Sequence, residues 1–324
     1  AHGGDAMDTR PQKVSDDVRS LIAYLQQGLI GHQVLTERLL IALLTGGHLL
    51  VEGAPGLAKT RSVKRLSDAV EGTFARIQCT PDLMPSDLTG TQVFRPQDGQ
   101  FEFVEGPVFH NLILVDEINR APPKVQSALL EAMAERQVTS GPATHTLPDP
   151  FLVVATQNPI EHDGTFPLPE AQLDRFLLHV VLQLPDMETE RHILDLVELE
   201  TQQAPPEPQP MTLEALAKAQ QRVREVHLAP ELRDYIVRLV MATRAEDAAE
   251  HIDHAVSPRG SLSLASAAKA RAYLQGRDYA VPEDVAMLAP DALAHRMVLS
   301  WRAVADGKTA RQLVADILQR IDPL

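Results

Sequence analysis

Cysteine is almost missing from this chain. With Cys79 alone among 324 residues, neither an intramolecular disulfide nor a zinc site built on cysteines can form. Aromatic side chains are scarce, at 4% of the composition. No apolar run approaches the length that crosses a bilayer, so no transmembrane segment is expected. No secretory-leader pattern opens the sequence, and a cytoplasmic protein is expected. Basic residues fall short: 30 Lys and Arg against 44 Asp and Glu leave a net charge of −14. That deficit argues against a broad, non-specific grip on nucleic acid, which needs a basic surface. It leaves room for a local basic pore in a ring.

Apolar residues are ample. At 44% they support a sizeable core, and the length suggests about two domains. Residues 1–20 read as an N-terminal tail, with Ala1–Asp8 as an expression remnant and Met7 as the natural start. Strands are predicted at His48–Glu52, Thr73–Cys79, Asn111–Asp116, Phe151–Thr156 and Phe176–Leu184. Several are near-continuous apolar runs, the pattern of strands covered on both faces. Helical stripes separate most of them, as at Val34–Leu44 and Lys124–Glu135. The alternation predicts an α/β domain with a mostly parallel five-stranded sheet over residues 21–185. After Pro185 the pattern turns helical, and Pro230, Pro258 and Pro282 suit first-turn positions, so residues 186–324 read as an all-helical lid. Two segments interrupt the alternation and read as hairpin inserts, near 90–107 and 137–150. Trp301 is expected to pack within the lid, and Cys79 to be buried.

The chemistry concentrates at Gly53-Ala54-Pro55-Gly56-Leu57-Ala58-Lys59-Thr60, between a predicted strand and a predicted helix. A glycine-bearing loop at a helix start turns backbone N–H groups toward phosphates. Lys59 is placed to reach the terminal phosphates, and the Thr60 hydroxyl to ligate Mg²⁺. The usual pattern has Gly before the Lys. Ala58 stands there instead, and it is expected to be helical because Ala adopts positive φ poorly.

Other candidates follow along the chain. Leu112–Val115 ends in Asp116 and Glu117, two carboxylates where an open α/β sheet keeps its ligand crevice. Asp116 could hold Mg²⁺ and Glu117 could take the proton of an attacking water, although a solvated acid pair is the plainer alternative. Asn158 closes the next strand, where an amide can orient that water; a turn residue before Pro159 is the alternative. Arg175 precedes the fifth strand, from where it could reach a neighbouring subunit's nucleotide rather than its own. Arg259, at the start of a lid helix, is expected to touch the γ-phosphate from the lid. From these residues alone a surface salt bridge is the preferred reading of Arg175, and a plain surface arginine is the alternative for Arg259. His251 and His254 have metal-ligand types but no evident partner, so a solvated loop is expected.

These residues, in this order, resemble the AAA+ ATPases and more closely the MoxR family. The resemblance spans about Ile22 to Asp322 and rests on Leu29-Ile30-Gly31-His32, on 53–60, 80–90, 105–138 and 155–176, and on Ser257-Pro258-Arg259-Gly260. It implies an αβα sandwich with a helical lid. Ile30 and Gly31 match the adenine-side loop, Lys59 and Thr60 the Walker A pair, and Asp116 and Glu117 Walker B. Asn158 matches sensor 1, Arg175 the arginine finger and Arg259 sensor 2, with Arg120 as a possible second trans-acting arginine. The Ala58 departure is typical of this family. The resemblance further implies ATP and Mg²⁺, a homo-oligomeric and usually hexameric ring, and pore-facing inserts. It implies chaperone-like remodelling of client proteins or cofactor insertion, with a von Willebrand factor A domain partner. A nucleic-acid motor, a nucleotide-gated binding module and a chelatase-type motor subunit remain alternatives at this point.

Overall fold

The computed structural model describes residues 14–28, 32–53, 57–158 and 164–323. Ile30, Gly31, Ala54, Pro55 and Gly56 lie outside them, and of Leu57 and Ala58 only the backbone is described. The chain enters through α1 (Asp16–Gly28), so residues 16–20, expected as tail, are helical. The reason is apolar spacing: Val18, Leu21 and Leu25 fall on one buried stripe. Next comes α2 (Gln33–Thr45), buried along most of its length and ended by Gly46 in the left-handed region at φ +73°. Then follow β1 (Leu49–Glu52), α3 (Leu57–Ala69), β2 (Phe74–Gln78) and α4 (Pro85–Thr89). Ala58 is helical, as expected.

The first insert is a hairpin of β3 (Gly90–Arg95) and β4 (Gln100–Glu105). After β5 (Leu112–Asp116) and α5 (Pro123–Glu135), the second is a hairpin of β6 (Gln137–Ser140) and β7 (Ala143–Thr146). The domain closes with β8 (Leu152–Gln157), α6 (Glu170–Leu173) and β9 (Leu178–Val181). The sheet runs β2-β5-β8-β1-β9, with every pairing parallel.

The apolar runs of its strands are explained by two cores, one on each face. Leu49, Val51, Leu112, Leu114, Leu152 and Val154 belong to one cluster. Leu50, Ile113, Val115, Val153 and Ala155 belong to the other. Side chains alternate faces along a strand, so a strand covered on both sides is apolar at every position.

After Pro185 the chain turns to helices, the part expected to be the lid, beginning with α7 (Met187–Gln202), where the Asp186 carboxylate accepts from the Thr189 N–H at 2.8 Å. It continues through α8 (Leu213–Arg224), α9 (Pro230–Ala242), α10 (Pro258–Leu274), α11 (Pro282–Leu293), α12 (Trp301–Ala305) and α13 (Ala310–Arg320). Pro230, Pro258 and Pro282 open their helices, as their fixed φ favours. The lid also carries a short ladder, β10 (Ile252–His254) against β11 (Val298–Leu299), too brief to show in the pattern. Trp301 is a correction: it stands exposed at 78% instead of packing. It sits at the start of the five-residue α12, whose buried contact comes from Ala303. Cys79 is buried. The first core runs without a break from α1 and α2 into α8, α10 and α11, so the lid packs on the sheet domain through one continuous apolar mass. Among the described residues, no helix is long and apolar enough to cross a membrane.

Candidate active site

Parallel strands give the sheet two chemically distinct ends, and the predicted residues divide between them. At the carboxyl ends, β1 passes into Gly53. A Cβ there would come within 3.1 Å of the Leu182 Cβ and 3.2 Å of its carbonyl, so a side chain would crowd the exit of β9. The first turns of α3 present Lys59 and Thr60. Lys59 is buried, and its Nζ donates to the carbonyls of Gly53 at 2.7 Å and Gln157 at 3.4 Å. Burial lowers the Lys59 pKa, while Asp116, Glu117 and Glu52 pull it back up. The ammonium head thus lies between the ends of β1 and β8, near three carboxylates.

Asp116 ends β5 and is buried. Arg76 on β2 pairs with its Oδ2, and Thr156 Oγ1 lies 3.5 Å from its Oδ1. Glu117 then takes φ +55° and ψ +55°, left-handed geometry that costs a non-glycine residue about 1–3 kcal/mol. Its N–H donates to Thr156 Oγ1 at 3.0 Å. Thr156 is therefore the bracket that holds both carboxylates. The sequence reading did not single it out, although a hydroxyl just before the terminal amides of β8 is a legible signal. Glu117 also meets Arg120 at 3.4 Å, which gives Arg120 a partner within its own chain. Asn158 sits at the end of β8, where its carbonyl accepts from Asn119 Nδ2 at 3.2 Å. Gln157 ties β8 to β1 by donating to Glu52 at 2.9 Å. Thr60 and Asp116 both carry side-chain oxygen, the donor type that a hard divalent cation beside phosphates takes.

Two further residues were missed because their partners are remote in sequence. Arg61 donates to the Gly28 carbonyl at 2.9 Å and to Glu200 of α7 at 2.9 Å. Arg65 donates to the Tyr24 carbonyl at 2.7 Å and stacks over the Tyr24 ring at 3.8 Å. The helix carrying Lys59 is thereby clamped to α1 and α7.

Arg175 and Arg259 are not at this end. Arg175 precedes β9, so it lies at the amino end of the sheet, and α10 brings Arg259 beside it. In this structure Arg259 therefore stands at the opposite end of the sheet from Lys59. The two line an open cleft of about 290 Å³, together with Gly46, Arg136, Asp174 and Arg296. Asp174 accepts from Arg296 at 2.8 Å and lies 3.8 Å from Arg259. Burial pushes the Arg296 pKa down to about 10, against the pull of Asp174, and it stays cationic at neutral pH.

Buried histidines make the surroundings acid-sensitive. His48 Nδ1 accepts from the Val153 N–H at 3.1 Å, and burial, aided by Arg136, pushes its pKa down to about 4. Burial and Arg311 do the same to His179, to about 4, so its 3.6 Å contact with Glu52 is not an ion pair at neutral pH. His295, buried against Phe176, is lowered too. An unfolded histidine titrates near 6.5, so the stabilisation is complete above that pH and is lost as pH falls toward 4. At pH 5, His48 and His179 are each expected to cost about 2 kcal/mol of stability relative to pH 7. Urea unfolding at the two pH values measures this; an unchanged midpoint would contradict neutral burial of these rings.

Comparison with known proteins bears on this geometry. A family model described as ATPase family associated with various cellular activities (AAA) matches residues 48–178. One described as AAA lid domain matches residues 244–317. Chaperone MoxR1 of Mycobacterium tuberculosis is 44% identical over 299 residues, covering 90% of this chain and 78% of that one. Protein MoxR of Paracoccus denitrificans is 34% identical over 306 residues, covering 87% and 88%. A solved structure from Cytophaga hutchinsonii, presented as a candidate ATPase, is similar at TM-score 0.86 and 41% identity, covering 95% and 94%.

Proposed function

Because this chain belongs to the MoxR family of AAA+ ATPases, we propose that it hydrolyses ATP in a ring of identical copies and uses the cycle to remodel client proteins. The observation that carries this reading is the division of the machinery between the two ends of the sheet. Lys59, Thr60, Asp116, Glu117 and Asn158 gather at the carboxyl ends. Arg175 and Arg259 gather at the amino ends. One chain cannot bring both sets to one phosphate, whereas two adjacent copies can.

In this reading Lys59 binds the terminal phosphates, flanked by the backbone of residues 53–60. Glu117 accepts a proton from water as its oxygen bonds the γ-phosphorus and the bond to the bridging oxygen breaks, releasing ADP. Asn158 orients that water. Mg²⁺, when bound, supplies charge neutralisation between the phosphates, and Thr60 and Asp116 are the residues that would hold it. Arg175 and Arg259 of the adjacent copy stabilise charge on the phosphoryl group in transit.

A protein client is favoured by the first hairpin. Val93, Phe94, Phe101 and Val104 are exposed on it, and the Phe94 and Phe101 rings lie 5.2 Å apart. A nucleic-acid track finds less support, because Arg95 of that hairpin is already paired with Glu102. A von Willebrand factor A domain partner and a cytoplasmic setting complete the proposal. Chelatase-type motors and nucleotide-gated modules share this site, and their partners distinguish them.

Arg175→Ala is expected to leave ATP affinity unchanged and to lower turnover by about 10³-fold in assembled protein. Wild-type turnover per subunit should also fall on dilution below the assembly concentration. If dilute monomers hydrolyse ATP as fast as the assembly, the arginine does not act between copies.

A further inference from the structure

Of the four guanidinium groups in the arginine cleft, the proposed function uses Arg175 and Arg259, Arg296 is spent on buried bonds to Asp174 and its neighbours, and Arg136 is left over. Arg136 caps α5 with φ +55°, in the left-handed region where Gly or Asn is usual. An arginine retained at such a position needs a reason beyond the turn. Its side chain crosses to the end of α2, where Nη2 donates to the Gly46 carbonyl at 2.7 Å, and this bond sets the guanidinium against the cleft. One of its five N–H donors is used there, and no described carboxylate pairs with it.

The charge balance makes the same point. Arg136, Arg175, Arg259 and Arg296 share the cleft with Asp174, the only acidic lining residue among the described residues, which already serves Arg296 and Arg259. Gathered like charges repel in the isolated chain, and an entering anion relieves that repulsion. Three elements each deliver one arginine: the end of α5, the segment before β9 and the start of α10.

We propose that Arg136 is a third phosphate-binding residue of this cleft, contacting the terminal phosphate of the nucleotide held by the adjacent copy. The inference rests on the reading of the cleft as facing a neighbour's nucleotide and adds Arg136 to it. A planar guanidinium anchored on a carbonyl keeps its remaining fork free for phosphate oxygens.

Arg136→Gly removes the guanidinium and suits the positive φ, so the turn is preserved. It is expected to lower kcat by about 10- to 100-fold, the scale of a lost hydrogen bond to a charged group. Arg136→Lys, which keeps a cation without the fork, should fall between. The decisive test mixes variants. Arg136→Gly subunits with intact Lys59 are co-assembled with Lys59→Ala subunits that retain Arg136, and mixed assemblies are purified on a tag carried by only one variant. Turnover per intact Lys59 should rise several-fold over Arg136→Gly alone, because half of those sites then face an intact cleft. The same mixture made with Arg175→Ala reports on the underlying reading. If the Arg175 mixture is rescued and the Arg136 mixture is not, Arg136 has no role across the interface, while the shared site stands. If neither is rescued, the interface reading fails and takes this inference with it.

Discussion

Glu117→Gln is expected to bind ATP with the affinity of the parent chain and to lose turnover by about 10²–10⁴-fold, the contribution typical of a positioned general base. The geometry makes this substitution clean. Glu117 owes its position to a left-handed backbone whose N–H is held by Thr156, and glutamine can keep that conformation. A neutral amide of the same shape still meets Arg120, but it cannot take a proton from water. Phosphate release measured beside nucleotide affinity separates the two effects. Unchanged turnover would remove Glu117 from the role of base. A matching loss of affinity would assign it to binding instead. The same variant, held in ATP and Mg²⁺, is also the bait for the client. Recovery of a von Willebrand factor A protein or a metalloenzyme precursor would support remodelling. Recovery of nucleic acid released by high salt would favour a motor on that substrate.

Arg296→Met is expected to destabilise the fold by about 3–5 kcal/mol, as truncation of a buried, hydrogen-bonded charge does. The Arg296 side chain is 1% exposed. It donates to the Asp174 carboxylate, to the carbonyls of Asp174, Phe176, Leu177 and Ala292, and to Ser263 Oγ. Methionine replaces the aliphatic stem but withdraws every one of those donors. A second effect follows from where they lie. Asp174 and Phe176 flank Arg175, so the same bonds fix the segment that presents the proposed finger. Turnover should therefore fall even at a temperature where the variant stays folded, while ATP binding at Lys59 is retained. Urea unfolding gives the first quantity and low-temperature kcat the second. A destabilised variant with full kcat would show that Arg175 is held by something other than Arg296.

Much of the fold was legible because its signals are local. A stretch sealed on both faces must be apolar at every position, and Leu112–Val115 of β5 and Leu152–Ala155 of β8 are. A proline that opens a helix announces itself, as Pro230, Pro258 and Pro282 do. The candidate site was legible for the same reason at the carboxyl ends, where Lys59 and Thr60 adjoin one strand and Asp116, Glu117 and Asn158 close others. Where a residue's fate depended on distant partners, the reading thinned. Trp301 reads as lid packing and is exposed. Residues 16–20 read as tail and form the start of a buried-faced helix.

By itself the sequence determined the α/β class, the family and which residues are proposed for phosphate chemistry. Each of these is carried by residue type at short spacing, which a linear chain preserves. Only the tertiary structure decided which end of the sheet each arginine occupies. Arg259 meets Asp174 from 85 residues away, and Arg296 reaches it across 122. Such contacts arise from how the lid settles on the sheet domain through their shared core, and hydrophobic burial, the force that settles it, is non-directional and leaves no local mark on the residues it brings together.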